Sequence, residues 1–247
     1  ADLYVYQYDW SPDDSRFAVT AAHGSGDNNW YVAGLYVIDA ATGSTKLLLQ
    51  PPTQIAVPRW SPDGRQIAFV AGLMSDESIA NGDLHVISAA GGDEQDCTPR
   101  LRASIFWYSW LPHSTALVLA EARDGGSAVV RLNAATGTMR TLWRGPQTIR
   151  AVGGFARSLS LSANGTRSAV VLQSFNQPPS LRTGAIGAWQ SFGTTATSLE
   201  TSFWGKPKAF TGEAEASTSR GGSYRRKLSC PATCTPWWCG FTEVPPG

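Results

Sequence analysis

The sequence is poor in charge and almost free of cysteine over most of its length, and each scarcity excludes a class of protein. Only 16% of the 247 residues are charged and the formal net charge is +1, so no basic surface for nucleic acid is expected. No apolar run approaches the roughly 20 residues that a membrane-spanning helix needs. Cys97 is the only cysteine before residue 230, which excludes a disulfide framework for the main body.

Glycine, proline and aromatic residues are plentiful instead. The chain has 25 glycines, 15 prolines and 42% hydrophobic residues, a mixture that favours many short strands joined by tight turns. It begins at Ala1 without a basic and then apolar leader, so we expect a mature product or a fragment. The sequence does not decide between the periplasm and the cytoplasm of a bacterium.

Most of the chain consists of a repeat of about fifty residues. Four segments align without gaps and place Trp10, Trp60, Trp110 and Leu161 in one register: "YDWSPDDSRFAVTA" from 8, "PRWSPDGRQIAFVA" from 58, "YSWLPHSTALVLAE" from 108 and "LSLSANGTRSAVVL" from 159. A second motif follows the first three, such as "GLYVIDAATG" from 34. Each unit reads as four strands, and four-stranded units at this spacing are typical of β-propeller blades.

The strands of each repeat are separated by residues that favour tight turns. Proline presets the backbone at the second position of a type I turn and glycine tolerates its exit, which suits Ser61-Pro62-Asp63-Gly64. Trp10, Trp60 and Trp110 are predicted to be buried wedges between neighbouring blades, because they recur with the repeat. The predicted structural anchors of the repeat are Trp10, Pro12, Trp60, Pro62, Asp63, Gly64, Trp110, Pro112, Asn164 and Gly165.

The "WSPDG-x-x-IAF" unit resembles the WD-type propeller repeat of TolB and, equally, that of the N-terminal propeller of prolyl oligopeptidase family serine peptidases. The resemblance covers about residues 5 to 175. "QSFNQPPSL" from 173 is similar to the end of the peptidase propeller, where the chain leads towards an α/β-hydrolase domain. In the peptidase family this resemblance implies a propeller that limits access to small peptides, whereas TolB implies a module that binds protein partners in the bacterial envelope.

From residue 193 the composition changes. Residues 193–247 contain no Ile, Met or Asp, and only three branched aliphatic residues, Leu199, Leu228 and Val244. Such a segment cannot supply the β-branched faces of a blade. Three explanations stay open: a native disordered tail, a metal clip made by Cys230, Cys234 and Cys239, and a hydrolase domain read in the wrong frame. Three thiols without histidine lack the ligand set of zinc sites, which disfavours the second.

The wrong-frame hypothesis can be examined through codon degeneracy. Trp237, Trp238 and Cys239 read from the third base of each codon give Val-Val followed by Trp or Arg. The same shift permits "VHGGPAG" to the end of the chain. That string resembles the oxyanion-hole loop at the start of the peptidase hydrolase domain. Residues 205–224 in this frame permit a string similar to the family's linker and first hydrolase strand.

No catalytic constellation is found in the translated frame. The nucleophile elbow Gly-x-Ser-x-Gly is absent, and "GGSYR" from 221 has arginine where the last glycine is needed. His23, His85 and His113 have no paired serine or acid spacing and are interpreted as structural or surface residues. The polar stretch "HGSGDNNWYVAG" from 23 is long for a hairpin loop and is the one translated segment that we mark as a candidate for a functional role.

The predicted fold is therefore all-β: a partial β-propeller of about four four-stranded blades in an open arc over residues 1–192, followed by an irregular or disordered tail at 193–247. We expect a non-catalytic fragment of a prolyl oligopeptidase family peptidase, with peptide substrates only in the intact parent enzyme. The alternative is a TolB-like protein-binding module. We expect no cofactor, no nucleic acid and no membrane partner, and expect self-association through the bare faces of the end blades.

Overall fold

The computed structural model describes residues 2–24, 26–72, 82–113, 115–149, 159–174 and 177–192, and the backbone of three strands further on. The chain divides into two compact units, Ala1–Ala196 and Thr197–Gly247. This boundary lies close to the change of composition at residue 193. In the described residues the secondary structure is β-strand apart from one short 3-10 helix.

Unit 1 contains four antiparallel sheets in chain order, as the repeat predicts. Blade 1 has β1 (Leu3–Trp10), β2 (Arg16–His23), β3 (Gly34–Asp39) and β4 (Thr45–Leu49), with the 3-10 helix Asp27–Val32 between β2 and β3. Blade 2 has β5 (Gln54–Trp60), β6 (Gln66–Gly72), β7 (Asp83–Ser88) and β8 (Gln95–Asp96). Blade 3 has β9 (Ser104–Trp110), β10 (Ala116–Arg123), β11 (Gly126–Asn133) and β12 (Met139–Gly145). The fold is a partial β-propeller.

The fourth blade departs from this pattern at its first strand. Two short pieces, β13 (Thr148–Ile149) and β14 (Leu159–Leu161), pair with opposite ends of one edge of β15 (Ser168–Ser174). The sheet continues through β16 (Gln177–Ala185) and β17 (Ala188–Ser191). The first strand is thus supplied by two stretches of chain, where the repeat predicted one.

The core of unit 1 lies between blades. Side chains alternate across each strand, so a central blade buries one face against the preceding blade and the other against the next. The cluster between blades 1 and 2 consists of Ala18, Leu35, Val37, Ile55, Trp60, Ile67, Phe69, Ile87 and Ala89. Clusters of the same kind join blade 2 to blade 3 and blade 3 to blade 4.

The three repeat tryptophans differ in burial. Trp60 and Trp110 are 5% and 7% exposed, and each packs in the cluster against the preceding blade. Trp10 is 48% exposed, so its predicted burial is wrong. Among the described blades, none covers the side of blade 1 on which Trp10 lies. The ring of Trp10 packs on Phe17 of its own blade, with the centroids 3.9 Å apart.

Unit 2 contains an antiparallel sheet of three strands in chain order, β18 (Ala209–Ala214), β19 (Arg226–Pro231) and β20 (Gly240–Glu243). These strands fall within the segment predicted to be an irregular or disordered tail. The predicted metal alternative involves Cys234 and Cys239, which lie outside the described residues. Among the described residues, no helix has the length and apolar character required to cross a bilayer.

Candidate functional site

The Ser-Pro-Asp turn between the first two strands of a blade is a closed hydrogen-bond network. In blade 1 the Ser11 hydroxyl donates to Asp13 Oδ1 at 2.6 Å, and the Arg16 amide donates to Ser11 Oγ at 2.9 Å. The Ser15 hydroxyl and amide also donate to Asp13 Oδ1. The Ser11 and Ser15 hydroxyls together hold the pKa of Asp13 at about 2, well below its ordinary value. The aspartate of this turn is therefore a structural acceptor.

The same network recurs in two other blades. In blade 2 the Ser61 hydroxyl donates to Asp63 Oδ1 at 2.6 Å, and this hydrogen bond is the main reason that the pKa of Asp63 is lowered. Ser162 donates to Asn164 at 2.8 Å in blade 4. Blade 3 has Leu111 where the others have serine, so this turn lacks the hydroxyl that organises it.

The glycines of these turns have a second role in packing. Gly64 and Gly165 have φ of +70° and +69°, where a Cβ is strained. A Cβ on Gly165 would lie 3.0 Å from Cδ of Pro112, and one on Gly64 would lie 3.4 Å from Cγ of Pro12. Each turn glycine thus accommodates the turn proline of the preceding blade. Pro62, the corresponding proline of blade 2, follows Ser61 in the same turn.

Polar contacts between blades meet on β5, the first strand of blade 2. Its backbone N–H groups are bound from blade 1: Val57 N donates to Gln7 Oε1 at 2.6 Å, and Trp60 N donates to Asp9 Oδ2 at 2.9 Å. Arg59 adds an ion pair to Asp9 at 3.9 Å. Blade 1 therefore satisfies donors of a strand that belongs to its neighbour.

The carbonyl groups of β5 are bound from blade 3. Tyr108 donates its buried hydroxyl to the Val57 carbonyl oxygen, and Trp110 Nε1 donates to the Arg59 carbonyl oxygen at 3.2 Å. Val57 has φ +58°, which is costly for a β-branched residue and coincides with a break in the pairing of β5 with β6. Gln7 and Tyr108 therefore hydrogen-bond to the strained residue Val57 at its N–H and its carbonyl group, respectively.

The long loop after β2 is held in place by the same blade. Tyr6 donates its hydroxyl to the Gly26 carbonyl oxygen at 2.8 Å, and Asn29 donates to the His23 carbonyl oxygen at 3.0 Å. Trp30 packs against the core cluster between blades 2 and 3. Tyr31 and Val32 are the exposed large apolar side chains among the described residues of this loop, so a partner could bind them.

The three histidines and the buried acid lie apart in four settings. His23 Nδ1 is 3.2 Å from the Asp2 carbonyl oxygen, and His85 Nδ1 is 3.2 Å from Glu94 Oε2. His113 lies in the blade 3 turn with φ +50°. Glu121 is fully buried and pairs with Arg123 Nη2 at 2.9 Å; burial raises the pKa of Glu121, and the arginine lowers it in part. In the described part of the chain, no cluster of three or more acid, histidine or cysteine side chains is placed to hold a metal.

Sequence reasoning did not single out Gln7, Asp9, Tyr108 or Glu121. Polar residues at Gln7 and Asp9, inside an otherwise aromatic strand, and a glutamate inside "ALVLAEAR" were the available signals. The partners of Gln7 and Asp9 lie in the next sheet, whereas Glu121 pairs with Arg123 on its own strand, and neither pattern indicates which partner is used.

No family model matches the chain. A curated relative, "Uncharacterized peptidase YuxL" of Bacillus subtilis (strain 168), is 22% identical over 120 residues, which are 49% of this chain and 18% of that protein.

Solved structures with the same fold include several propellers. Oligogalacturonate lyase in complex with manganese has a TM-score of 0.63 at 16% identity, covering 81% of this chain and 56% of its own. A structure from a study of two prolyl endopeptidases has a TM-score of 0.55 at 15% identity, covering 95% and 32%. TolB from Acinetobacter baumannii has a TM-score of 0.53 at 17% identity, covering 93% and 52%. At these identities the likeness establishes the fold alone, and the chain spans about half or less of each of these proteins.

Proposed function

We propose that this chain is the propeller part of a prolyl oligopeptidase family serine peptidase and is itself non-catalytic. The observation that carries the proposal is the relative named as a peptidase, since its similarity extends over 49% of this chain but only 18% of the relative. A propeller domain present in both proteins would account for the segment in which this chain and the relative are similar. The chemistry would belong to an α/β-hydrolase domain outside it.

The contacts on β5 support a gating role rather than a catalytic one. Blades 1, 2 and 3 are joined by hydrogen bonds between their first strands, in addition to the apolar clusters. Such bonds would fix the spacing of the first strands, so an opening surrounded by these strands in a complete propeller would keep its size. A rigid opening would admit short or extended peptides to a hydrolase domain and keep folded proteins out.

The residues after 193 are proposed to be a hydrolase start translated in the wrong frame. Support comes from the Val-Val step that the shift forces on Trp237 and Trp238, and from the absence of Ile, Met and Asp in residues 193–247. The nucleotide sequence of the locus tests this. We expect a one-base shift to restore "VHGGPAG" followed by a serine elbow; a hydrolase absent from every frame downstream would overturn both this step and the peptidase lineage.

The biochemical test uses the purified chain. Acyl transfer requires a serine nucleophile, a histidine base, an orienting acid and oxyanion donors. His23 Nδ1 lies beside the Asp2 carbonyl oxygen and His85 Nδ1 lies beside the Glu94 carboxylate, so the described partner of neither ring is a serine hydroxyl. We expect no labelling by a fluorophosphonate probe and no turnover of aminoacyl or dipeptidyl chromogenic substrates. Labelling at one serine that is lost on heat denaturation would contradict a non-catalytic chain.

A TolB-like role in binding protein partners is the second candidate. The similarity to TolB from Acinetobacter baumannii, which extends over 93% of this chain, favours it. Here the exposed Tyr31 and Val32 of the loop after β2 would be the contact residues. The same nucleotide sequence separates the two candidates, because this one requires a reading frame without a hydrolase domain.

A further inference from the structure

The outward side of blade 1 is an apolar face against which no other described blade packs. We define the front face as the side of blade 1 that points away from blade 2, formed by Tyr8, Trp10, Phe17, Val19 and Tyr36. Tyr8 is 62% exposed and Trp10 is 48% exposed. The described residues of the cluster beneath them all belong to blade 1. Exposed aromatic area of this kind marks an interaction surface.

The front face has the construction of a face that binds a blade. Trp10 pairs across the strands with Phe17, as Trp60 pairs with Ile67 and Trp110 with Leu117. Trp60 and Trp110 both pack on the blade before them. The front face therefore fits the same kind of surface, which is the far side of a four-stranded blade.

The far side of blade 4 offers such a surface. We define the rear face by Arg167, Ala169, Leu181, Thr183 and Phe192. By strand register and turn position, these correspond in order to the blade 1 residues that face blade 2: Arg16, Ala18, Leu35, Val37 and Leu49. Ala18 and Leu35 are completely buried by blade 2, whereas Leu181 and Phe192 are 39% and 68% exposed.

One polar contact makes the two faces complementary. The Arg16 guanidinium lies over the Trp60 ring, 4.9 Å from its centroid, at the contact between blades 1 and 2. Arg167 has the position of Arg16 on the rear face and is exposed, and Trp10 has the position of Trp60 on the front face. Docking of the two faces in the geometry of blades 1 and 2 would place Arg167 over Trp10.

We propose that the front face of one copy of this chain binds the rear face of a second copy. Such a contact is head-to-tail, since the two surfaces differ, and head-to-tail contacts close into a ring when the rotation allows. Two arcs of four blades make eight, which is within the range of about 4 to 8 blades found in propellers. The expected product is a dimer with two equivalent junctions.

The experiment is sedimentation velocity on the full chain with one variant for each face. Trp10→Glu places a charge on the front face and Leu181→Glu places one on the rear face; Tyr8→Glu and Phe192→Glu are second choices at more exposed positions. Ala135→Glu is the matched control, because Ala135 is exposed in the turn between β11 and β12 of blade 3 and belongs to neither face. Circular dichroism and thermal melting establish that each variant is folded.

The wild type and Ala135→Glu are expected to sediment as dimers. Either face variant alone should dissociate to monomers, with the association weakened by at least about thirtyfold, as for the loss of a buried interface anchor. Mixed in equal amounts, the two face variants should form a two-chain species, because each keeps the face that the other has lost.

A monomeric wild type at high micromolar concentration would overturn the proposal. So would a dimer that survives Trp10→Glu or Leu181→Glu alone, since that result would indicate a contact between two front faces, two rear faces or other surfaces. These results do not depend on whether the chain derives from a peptidase or resembles TolB.

Discussion

Replacing Tyr108 by phenylalanine removes one oxygen atom from the contact that joins blade 3 to blade 2. The ring of Tyr108 is buried, and its hydroxyl donates to the carbonyl oxygen of Val57, which is itself buried. The variant leaves that acceptor without this donor at a site closed to water. An unsatisfied buried polar group costs about 1–3 kcal/mol, so we expect the free energy of unfolding to fall by about that amount.

The repeat supplies a matched control. Tyr8 has the position of Tyr108 in blade 1, but it is exposed in the single chain, where no described blade covers it. Both variants are therefore compared in the Trp10→Glu background, in which the proposed dimer is dissociated. Tyr8→Phe makes the same chemical change without burying an unpaired carbonyl, so its effect should stay within about 0.5 kcal/mol. The comparison removes the intrinsic effect of exchanging tyrosine for phenylalanine.

The assay is urea unfolding followed by circular dichroism, supported by thermal melting. For a unit of this size, each kcal/mol corresponds to a shift of about 2–4 °C in Tm. A double-mutant cycle with Gln7→Ala adds a sharper test, because Gln7 and Tyr108 hold the two sides of the same strained residue, Val57. A coupling energy above about 0.5 kcal/mol is expected. Equal losses for Tyr108→Phe and Tyr8→Phe would refute the reasoning.

Three further predictions concern the turns and the buried acid. Gly165→Ala and Gly64→Ala should each cost about 1–2 kcal/mol for a positive φ, as measured by urea unfolding, and Gly165→Ala should cost more because Pro112 lies nearer. The pKa of Asp13 is about 2 in the fold against a reference value of 3.8, so the stability that its ionised form contributes is lost as pH falls from 3.8 to about 2. Asp13→Asn should therefore reduce the dependence of the free energy of unfolding on pH in this range. The pKa of Glu121 is raised above 4.5, so the fold is destabilised as pH rises from that value; Glu121→Gln should remove this slope, and an unchanged slope in melts between pH 4.5 and 7 would contradict it.

The repeat allowed the architecture to be predicted because turns and apolar alternation are local. The turn serines bind residues a few positions away in the chain. Trp60 and Gly64 contact the adjacent repeat. The alignment of Trp10 with them was correct, yet it could not predict burial, since burial requires a blade on the other side of the ring. Equivalent residues in a repeat share a position in the sheet but not the same neighbours.

The polar contacts between blades could not be predicted for a different reason. Gln7 and Tyr108 are equivalent neither in position nor in chemistry, and both bind the same residue from opposite sides. The apolar pattern that defines the repeat contains no information about them. Val57 resembles an ordinary strand residue in the sequence, and only the backbone shows its positive φ.

These unequal contacts fix the order of the blades. Blade 1 presents acceptors, Gln7 and Asp9, to the N–H groups of β5, whereas blade 3 presents the donors of Tyr108 and Trp110 to the carbonyl groups of the same strand. Exchanging the neighbours of blade 2 would set donors against donors and acceptors against acceptors, and each mismatch would leave a buried group unpaired. The apolar clusters alone would tolerate such an exchange, because blades of one repeat have similar faces. The clusters therefore supply most of the attraction between blades, and the hydrogen bonds on β5 determine which blades meet.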